Sequence, residues 1–304
     1  MIVRVLGSAA GGGVPQWNCA CANCTAAREG RAPRRSESTL AIGLAGLDGM
    51  WMLLNCSTDI ASQIEACGPL RSSHGRFTPI CGILLTDANI DHIGGLAVLR
   101  QASPSTCMYV RSSAVVREIA LAQPSFAHFG KGSHRWIDAA LNEYSPKSGD
   151  DDIVGDLITV RTLAVPGKTP GYDGRRNVAG AVVAYEIAER DSASTLLFAP
   201  VFAAIEDSLA AAIARADVAF LDGSFYSDDE MIAAKLSSKT AQEMGHLPAG
   251  GPNGTLEQIG GGRTRVIFTH LNNSNPMLDP NSAAYAAVRA AGAEIAYDGM
   301  ELTL

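Results

Sequence analysis

Three cysteines within six residues are the feature that most constrains this chain. Cys19, Cys21 and Cys24 come soon after a glycine-rich turn at 7–13. Zn²⁺ is bound by thiolates that converge on one point, as thiols so close in sequence can do. Near neighbours reach disulfide geometry only with strain, and an odd number of thiols leaves one unpaired. The triplet therefore predicts a zinc knuckle at 19–24 with a fourth ligand from elsewhere, and reduced thiols without metal are the plainer alternative.

The composition argues against polyanionic partners and membrane insertion. The 304 residues are 47% hydrophobic and 18% charged, and the formal net charge is −7. Because no Lys/Arg-rich run occurs, we expect neither nucleic acid nor an anionic membrane surface as a partner. No apolar run approaches the roughly 18 residues of a membrane span, and the first residues lack a signal-peptide pattern. We therefore expect a cytoplasmic protein with reduced cysteines.

Short runs rich in Val, Ile and Leu, bounded by turn residues, predict many strands. They lie at 2–6, 39–44, 51–55, 80–86, 108–110, 157–165, 178–186, 195–198, 218–222, 266–270 and 294–297. Helical patterns lie at 93–100, 207–216 and 281–291. Two packed sheets with outer helices, an αββα sandwich, fit this order better than one doubly wound sheet. The pattern alone leaves that choice open.

A cluster of polar residues follows the predicted strand at 80–86. Asp87, Asn89 and Asp91 alternate along the chain, His92 is next to them, and two glycines follow after Ile93. Alternate residues of an extended segment point the same way, so the cluster indicates a metal-binding or catalytic loop. The alternative is that Asp91 caps a helix that starts near Ile93. Capping accounts for Asp91 but not for His92 with the glycines after it.

His270 ends the predicted strand at 266–270 and leads into a polar turn. Functional side chains are often carried by loops that a rigid scaffold positions. Taken alone, His270 is more typical of a hydrogen-bonded structural histidine. Beside the Asp-His cluster, it becomes a candidate metal ligand.

These motifs resemble the metallo-β-lactamase superfamily, and within it the pyrroloquinoline quinone (PQQ) biosynthesis protein B family. The resemblance rests on the segments 7–19, 85–92, 244–246, 270–276 and 298–300. They span nearly the whole chain, and the opening motif with its cysteine triplet is the most specific of them. The resemblance implies one metallo-β-lactamase-like domain over residues 1–304, of the α/β (α+β) class, with two mixed sheets and outer helices.

The chain departs from the superfamily's hydrolases at the positions that hold two metals. Asp87 and Asn89 stand where the superfamily's loop has its first two histidines, and Pro200 stands where a bridging Asp is expected. Two metals about 3.5–4 Å apart need such ligands, so a dinuclear hydrolase is not expected. We expect Asp87 and Asn89 to line the substrate pocket instead. Lys168, in the loop that lacks the usual histidine, is a candidate for binding a substrate carboxylate, with a solvated surface lysine as the alternative.

What remains of the superfamily's ligands is Asp91, His92 and His270. Two imidazoles and one carboxylate make up the facial triad that holds non-haem Fe(II) with open positions for O₂ and substrate. Zn²⁺ accepts the same ligands. The resemblance therefore implies an active-site metal, with Fe²⁺ as the candidate, beside a structural Zn²⁺ in the knuckle.

Three further residues receive roles from the resemblance. Asn273 is the candidate fourth ligand of the knuckle, with water as its rival. His246 corresponds to a superfamily proton donor, and a structural loop histidine is the alternative. Asp222 is expected either to orient His246 or substrate, or to cap the residues that follow it.

The resemblance implies a role in PQQ biosynthesis. The leading hypothesis is Fe(II)- and O₂-dependent hydroxylation of the tyrosine ring in a crosslinked Glu–Tyr intermediate. The first alternative is a non-catalytic carrier of the cofactor or its precursor, and the second is a residual zinc hydrolase. Besides the peptide-derived substrate, other enzymes of the pathway and a second copy of the chain are the candidate partners.

Overall fold

Two β-sheets lie face to face, and helices cover the outer face of each. This computed structural model describes residues 1–44, 49–102, 108–131, 134–143, 158–175, 178–189 and 194–304. Within them the predicted αββα sandwich of two mixed sheets is confirmed. No helix in those ranges is long and apolar enough to cross a membrane.

The first sheet combines antiparallel and parallel strands. Numbered in chain order, its strands lie in the spatial order β13 (Glu301–Thr303), β1 (Ile2–Gly7), β2 (Thr39–Gly43), β3 (Trp51–Leu54), β4 (Ile80–Leu84), β5 (Tyr109–Ser112) and β6 (Arg135–Asp138). The pairs from β13 to β3 are antiparallel, whereas β3 to β6 run parallel. The parallel part needs crossover connections, which place helices on the outer face.

The second sheet is also mixed. Its spatial order is β12 (Glu294–Ile295), β11 (Arg265–Thr269), β10 (Val218–Asp222), β9 (Thr195–Ala199), β8 (Val183–Glu189) and β7 (Ile158–Ala164). Strands β9 to β12 are parallel, and β7 to β9 are antiparallel. The carboxyl ends of β10 and β11 therefore meet at one edge of this sheet.

The helices are short and divide between the two outer faces. They are α1 (Ala22–Arg28), α2 (Ile60–Ala66), α3 (Ile90–Ile93), α4 (Leu96–Leu99), α5 (Ala114–Leu121), α6 (Asp207–Arg215), α7 (Glu230–Ala233), α8 (Ala241–Met244), α9 (Thr255–Ile259) and α10 (Ala283–Ala290). Single 3₁₀ segments lie at Gly68–Leu70, Pro124–Gly130 and Pro276–Leu278. Residues of α2 to α5 pack on the first sheet, and residues of α1, α6 and α10 pack on the second.

The strands read as continuous apolar runs because both faces of each sheet are buried. In β2, Leu40 and Ile42 point into the layer between the sheets, and Ala41 points to the outer helices. Phe198 and Phe220 enter the same inter-sheet layer from the second sheet, and both are fully buried. This alternation produces three apolar layers, one between the sheets and one under each set of helices.

Several predicted boundaries are wrong, for local reasons. The strand predicted at 178–186 begins only at Val183, because the chain turns at Gly180, where φ is 80°. Of the helix predicted at 93–100 only α4, Leu96–Leu99, forms, and Gly94 and Gly95 separate it from α3, which ends at Ile93. Strands β6 and β13 were not predicted, since one has no apolar alternation and the other has three residues.

Tyr185 forms a hydrogen bond between the two sheets beside the loop that follows β4. Its hydroxyl donates to the carbonyl of Leu85 over 2.8 Å, although the residue lies in β8 of the other sheet. The backbone N–H of Val183 donates to the carbonyl of Thr86, also over 2.8 Å. These bonds hold the loop after β4 against the edge at which β10 and β11 end.

Candidate metal centre

Three strand ends bring the candidate site residues together. The loop after β4 carries Asp87 to His92, Asp222 is the last residue of β10, and His270 follows β11 directly. His270 has φ of 57°, in the left-handed region that non-glycine residues seldom occupy. Such conformations persist where the surroundings enforce them, typically at functional sites. Here the backbone turns the imidazole back towards the loop after β4.

Asp91, His92 and His270 converge on one point. Asp91 Oδ2 lies 3.3 Å from His270 Nε2 and 3.9 Å from His92 Nε2, and the two imidazole centroids are 4.9 Å apart. Their candidate ligand atoms all lie within 4.8 Å of one another. His92 Nε2 is buried and has no hydrogen-bond partner among the residues the structure describes. A buried polar atom without a partner is costly, and a cation between these groups would satisfy it.

Asp91 does not cap the helix, so that alternative is wrong. It lies inside the first turn of α3, and Asn89 occupies the N-cap position without a side-chain capping bond. Burial opposes ionisation of Asp91, but the two neighbouring histidines hold its pKa well below the usual range. The carboxylate is therefore charged and available to a cation.

Asp87 does not line the pocket, contrary to our expectation of a substrate contact. It is fully buried behind His92, and its Oδ2 lies 2.6 Å from His92 Nδ1. It also accepts hydrogen bonds from Thr86 Oγ1 and from the backbone and side-chain nitrogens of Asn89. Burial lowers the pKa of His92, but Asp87 and Asp91 outweigh it and raise that pKa to about 9. The pocket therefore favours positive charge, and Asp87 orients His92 rather than a substrate.

Asp222 supports two histidines. Its Oδ2 lies 2.8 Å from His246 Nδ1, and its Oδ1 lies 2.6 Å from Ser224 Oγ. Ser224 Oγ in turn lies 2.7 Å from His270 Nδ1. Both expectations for Asp222 are met geometrically, because it contacts His246 and also accepts the backbone N–H of Ser224. The imidazoles of His246 and His270 are stacked with centroids 5.6 Å apart.

The three knuckle cysteines surround the side chain of Asn273. Its Nδ2 lies 3.1 Å from Cys19 Sγ, 3.5 Å from Cys21 Sγ and 3.4 Å from Cys24 Sγ. A tetrahedral zinc with bonds of about 2.0–2.3 Å separates its ligands by about 3.5 Å. Turning the amide over would place Oδ1, a possible ligand atom, where Nδ2 now lies. The arrangement fits a Zn²⁺ site with Asn273 as the fourth ligand.

The glycine-rich turn is clamped against the pocket. Glu37 Oε1 accepts the backbone N–H of Gly12 over 2.9 Å. A Cβ added to Gly11 would lie 3.2 Å from Asp91 Oδ2, so a side chain there would crowd the carboxylate. Leu271, directly after the last pocket histidine, exchanges backbone hydrogen bonds with this turn. The N-terminal segment therefore closes one side of the site.

A cavity of about 700 Å³ opens onto the metal centre. Its lining includes Asn89, Asp91, Lys168, His246 and His270. The Lys168 ammonium donates to the backbone carbonyls of Gln242 and Glu243 in α8, and the residue is exposed at the cavity wall. The cavity is large enough for a dipeptide-sized ligand in the usual range of small-molecule sites.

Comparison with known proteins places the chain in a family. The Beta-lactamase superfamily domain matches residues 50–271. Coenzyme PQQ synthesis protein B of Azoarcus sp. (strain BH72) is 38% identical over 311 residues, covering 100% of both chains. That of Azotobacter vinelandii (strain DJ / ATCC BAA-1303) is 36% identical over 310 residues, again covering 100% of both. The chain belongs to the coenzyme PQQ synthesis protein B family.

Solved structures agree with this assignment. The 1.98-angstrom crystal structure of Zn(2+)-bound PqqB from Methylobacterium extorquens has a TM-score of 0.90 at 32% identity, covering 100% of both chains. A diphosphatase from the PhnP family has a TM-score of 0.69 at 17% identity, covering 100% of this chain and 97% of that one. The second likeness concerns the fold alone.

Sequence reasoning missed several residues of this candidate site. Arg175 and Lys239 line the cavity, and Arg175 is paired with the carboxylates of Asp173 and Glu118. Ser224, which links the histidines, was noted only as a position that Asp222 caps. Their sequence signals were weak, because lysine, arginine and serine are common in loops. Their roles depend on spatial neighbours that the sequence does not show.

Glu230 makes a pH-dependent contribution to stability that is expected to be measurable. It accepts hydrogen bonds from Ser274 Oγ and the Tyr226 N–H, yet burial raises its pKa to about 7 from its usual 4.5. Because the folded pKa is raised, the unfolded carboxyl loses its proton first. Folding stability therefore falls between about pH 4.5 and 7, by about 3 kcal/mol.

Glu230→Gln should remove that decline. The amide can accept from Tyr226 and donate to Ser274, so wild type and variant should unfold alike in urea at pH 5. At pH 8 the variant should be more stable by up to about 3 kcal/mol. Glu65→Gln, at a side chain that is 80% exposed, is the control. Equal unfolding free energies of wild type and Glu230→Gln at pH 8 would refute the prediction.

Proposed function

We propose that this chain holds one Fe(II) at Asp91, His92 and His270. We propose further that it hydroxylates the tyrosine ring of a crosslinked Glu–Tyr intermediate in PQQ synthesis. Membership of the family supports the pathway. The observation that carries the chemistry is the convergence of one carboxylate and two imidazoles, with His92 Nε2 buried and unpartnered.

The neighbouring side chains favour one metal ion over two. Asp87 is committed to His92, and the Asn89 amide donates to Asp87 over 2.8 Å. Asp222 is likewise committed to His246 and Ser224. Asp87 and Asn89 are therefore not free to bridge a second ion, which a dinuclear hydrolase needs. Asp222 converges with His246 and His270 within 4.8 Å, but both of its oxygens already accept hydrogen bonds. This argues against the residual zinc hydrolase. The Methylobacterium extorquens relative is described as Zn(2+)-bound, which supports metal binding in the family and makes metal identity the quantity to test.

Fe(II) held by two imidazoles and a carboxylate supplies O₂ chemistry. In the overall reaction one oxygen atom replaces a ring hydrogen as C–OH, and the other leaves as water with two electrons and two protons from an added reductant. The chain's own residues bind and orient the substrate. Lys168 offers an ammonium to a substrate carboxylate at the cavity wall. His246 faces the cavity with Nδ1 tied to Asp222, so Nε2 is the atom that can exchange a proton.

The first test is the metal content of anaerobically purified protein. Wild type should carry one zinc and one Fe(II), or take up one Fe(II) when it is added without oxygen. His92→Ala should lose the Fe(II) and keep the zinc. Cys21→Ala should lose the zinc. A wild type that takes up no Fe(II) beyond the His92→Ala variant would overturn the proposal.

The second test separates a catalyst from a carrier. Fe(II)-loaded protein, a crosslinked Glu–Tyr dipeptide and ascorbate should consume O₂ and give a product heavier by one oxygen. Tight binding of the dipeptide without O₂ uptake, unchanged by His92→Ala, would instead establish the carrier. A zinc-dependent hydrolysis of a generic phosphodiester, lost in the same variant, would establish the hydrolase.

A further inference from the structure

The hydroxyl of Ser224 lies among three polar groups but carries one hydrogen. Its Oγ is 2.6 Å from Asp222 Oδ1, 2.7 Å from His270 Nδ1 and 3.0 Å from His246 Nδ1. Ser224, Asp222 and His270 are buried, and the His246 side chain is 17% exposed. The direction of each hydrogen bond is therefore determined by which atoms can donate.

The hydrogen of Ser224 must point to Asp222. A carboxylate can only accept, and two oxygens 2.6 Å apart without a hydrogen between them would repel each other. A hydroxyl bonded to a charged oxygen at this distance is also among the stronger hydrogen bonds. Ser224 Oγ is then an acceptor towards His270, and the hydrogen of that contact is on His270 Nδ1.

This arrangement determines which nitrogen of His270 is free. With Nδ1 protonated, His270 can offer Nε2, 3.3 Å from Asp91 Oδ2, to a cation that takes the place of a proton between the two atoms. The lone pairs of a carboxylate and an imidazole then face each other, as the ligands of a cation must. His92 also has its Nδ1 hydrogen-bonded, in this case to Asp87, so its Nε2 is the nitrogen left for a cation.

We propose that Ser224 is a positioning residue that passes the influence of Asp222 to His270 and holds His270 in the tautomer that binds metal through Nε2. The proposal rests on the metal site proposed above. Asp222 then orients two histidines. Its Oδ2 contacts His246 directly, and its Oδ1 acts on His270 through the hydroxyl of Ser224. Partners of this kind orient metal ligands in many proteins.

The tautomer can be read without any metal in an Asp91→Ala background, which removes the carboxylate that also attracts a proton to His270 Nε2. The chain has six histidines, so ¹⁵N-histidine labelling gives few signals, and His270→Gln assigns the one in question. At a pH where the ring is neutral, Asp91→Ala should show His270 protonated at Nδ1. Ser224→Ala in the same background should shift it towards the other tautomer. Protonation of His270 at Nε2 in Asp91→Ala would overturn the proposal even if no Ser224 variant folded.

Metal affinity supplies the second readout. In anaerobic Fe(II) titrations against a chromogenic chelator, Ser224→Ala should bind about 10–100-fold more weakly. Ser224→Thr keeps the hydroxyl and should bind like wild type. Ser38→Ala is the matched control, because Ser38 Oγ is buried without a hydrogen-bond partner among the described residues. Equal affinities of wild type and Ser224→Ala would refute the positioning role, whereas a wild type that binds no Fe(II) would refute the metal site itself.

Discussion

Cys24→Ala is expected to abolish zinc binding at the predicted knuckle and to destabilise the whole fold. Cys24 is fully buried, and its Sγ lies 3.4 Å from the Asn273 amide. Burial raises the pKa of its thiol to about 11, so the deprotonated ligand needs a bound cation. The knuckle joins the N-terminal segment to the turn that follows β11. Loss of a metal belongs to the mechanisms that cost about 4–5 kcal/mol, and we expect a loss of that size.

The effect should reach the pocket, because Asn273 is three residues after His270. Metal analysis and urea unfolding of Cys24→Ala should show zinc lost, stability lowered and Fe(II) uptake weakened together. Cys56→Ala is the matched control: Cys56 is equally buried, and it lies outside the knuckle. It should keep the zinc and lose only the stability of a small cavity, about 1 kcal/mol. An unchanged zinc content in Cys24→Ala would show that the triplet is not the zinc site.

The strands of the fold were predictable because each is marked by a short apolar run and by the turn residues next to it. Strand β10 has four apolar residues before Asp222, and β11 has three between Arg265 and Thr269, so polar residues mark the ends of both runs. The pairing of the two sheets is not local. It depends on contacts such as the Tyr185 hydroxyl with Leu85, 100 residues apart, and single-sequence patterns do not report these.

The candidate ligands of the site stand out in the sequence more clearly than the residues that orient them. Asp91, His92 and His270 stand out because charged and imidazole groups at strand ends are uncommon without a role. Ser224 does not, since serine is frequent in turns and acquires its role only from the groups that surround it. Asp87 was misplaced because alternation in an extended segment was assumed up to Asp91, whereas the backbone enters helix α3 at Ile90. That turn directs the carboxylate of Asp87 inward.

Substitution of the buried Asp87 is also expected to have a large effect on stability and on metal binding. Its two carboxylate oxygens accept from His92, Thr86 and both nitrogens of Asn89. Asp87→Ala leaves the buried Nδ1 of His92 without its charged partner and removes the acceptor of both Asn89 nitrogens, and breaking a buried charge pair in this way costs about 3–5 kcal/mol. Freed from Asp87, His92 should also bind metal about 10–100-fold more weakly. Urea unfolding and anaerobic Fe(II) titration measure the two effects separately.

Asp87→Asn tests the same role without creating a cavity. An amide has one acceptor atom, so it cannot accept on both sides, and at least one pair of donors loses its partner. We expect stability and Fe(II) affinity to fall together, by less than in Asp87→Ala. Lys168→Met is the contrasting variant, because Lys168 is an exposed residue of the cavity wall. It should raise KM for an acidic substrate and leave Fe(II) affinity unchanged. If Asp87→Asn raised KM and changed neither stability nor Fe(II) affinity, Asp87 would be a substrate contact. Its role in orienting His92 would then be refuted.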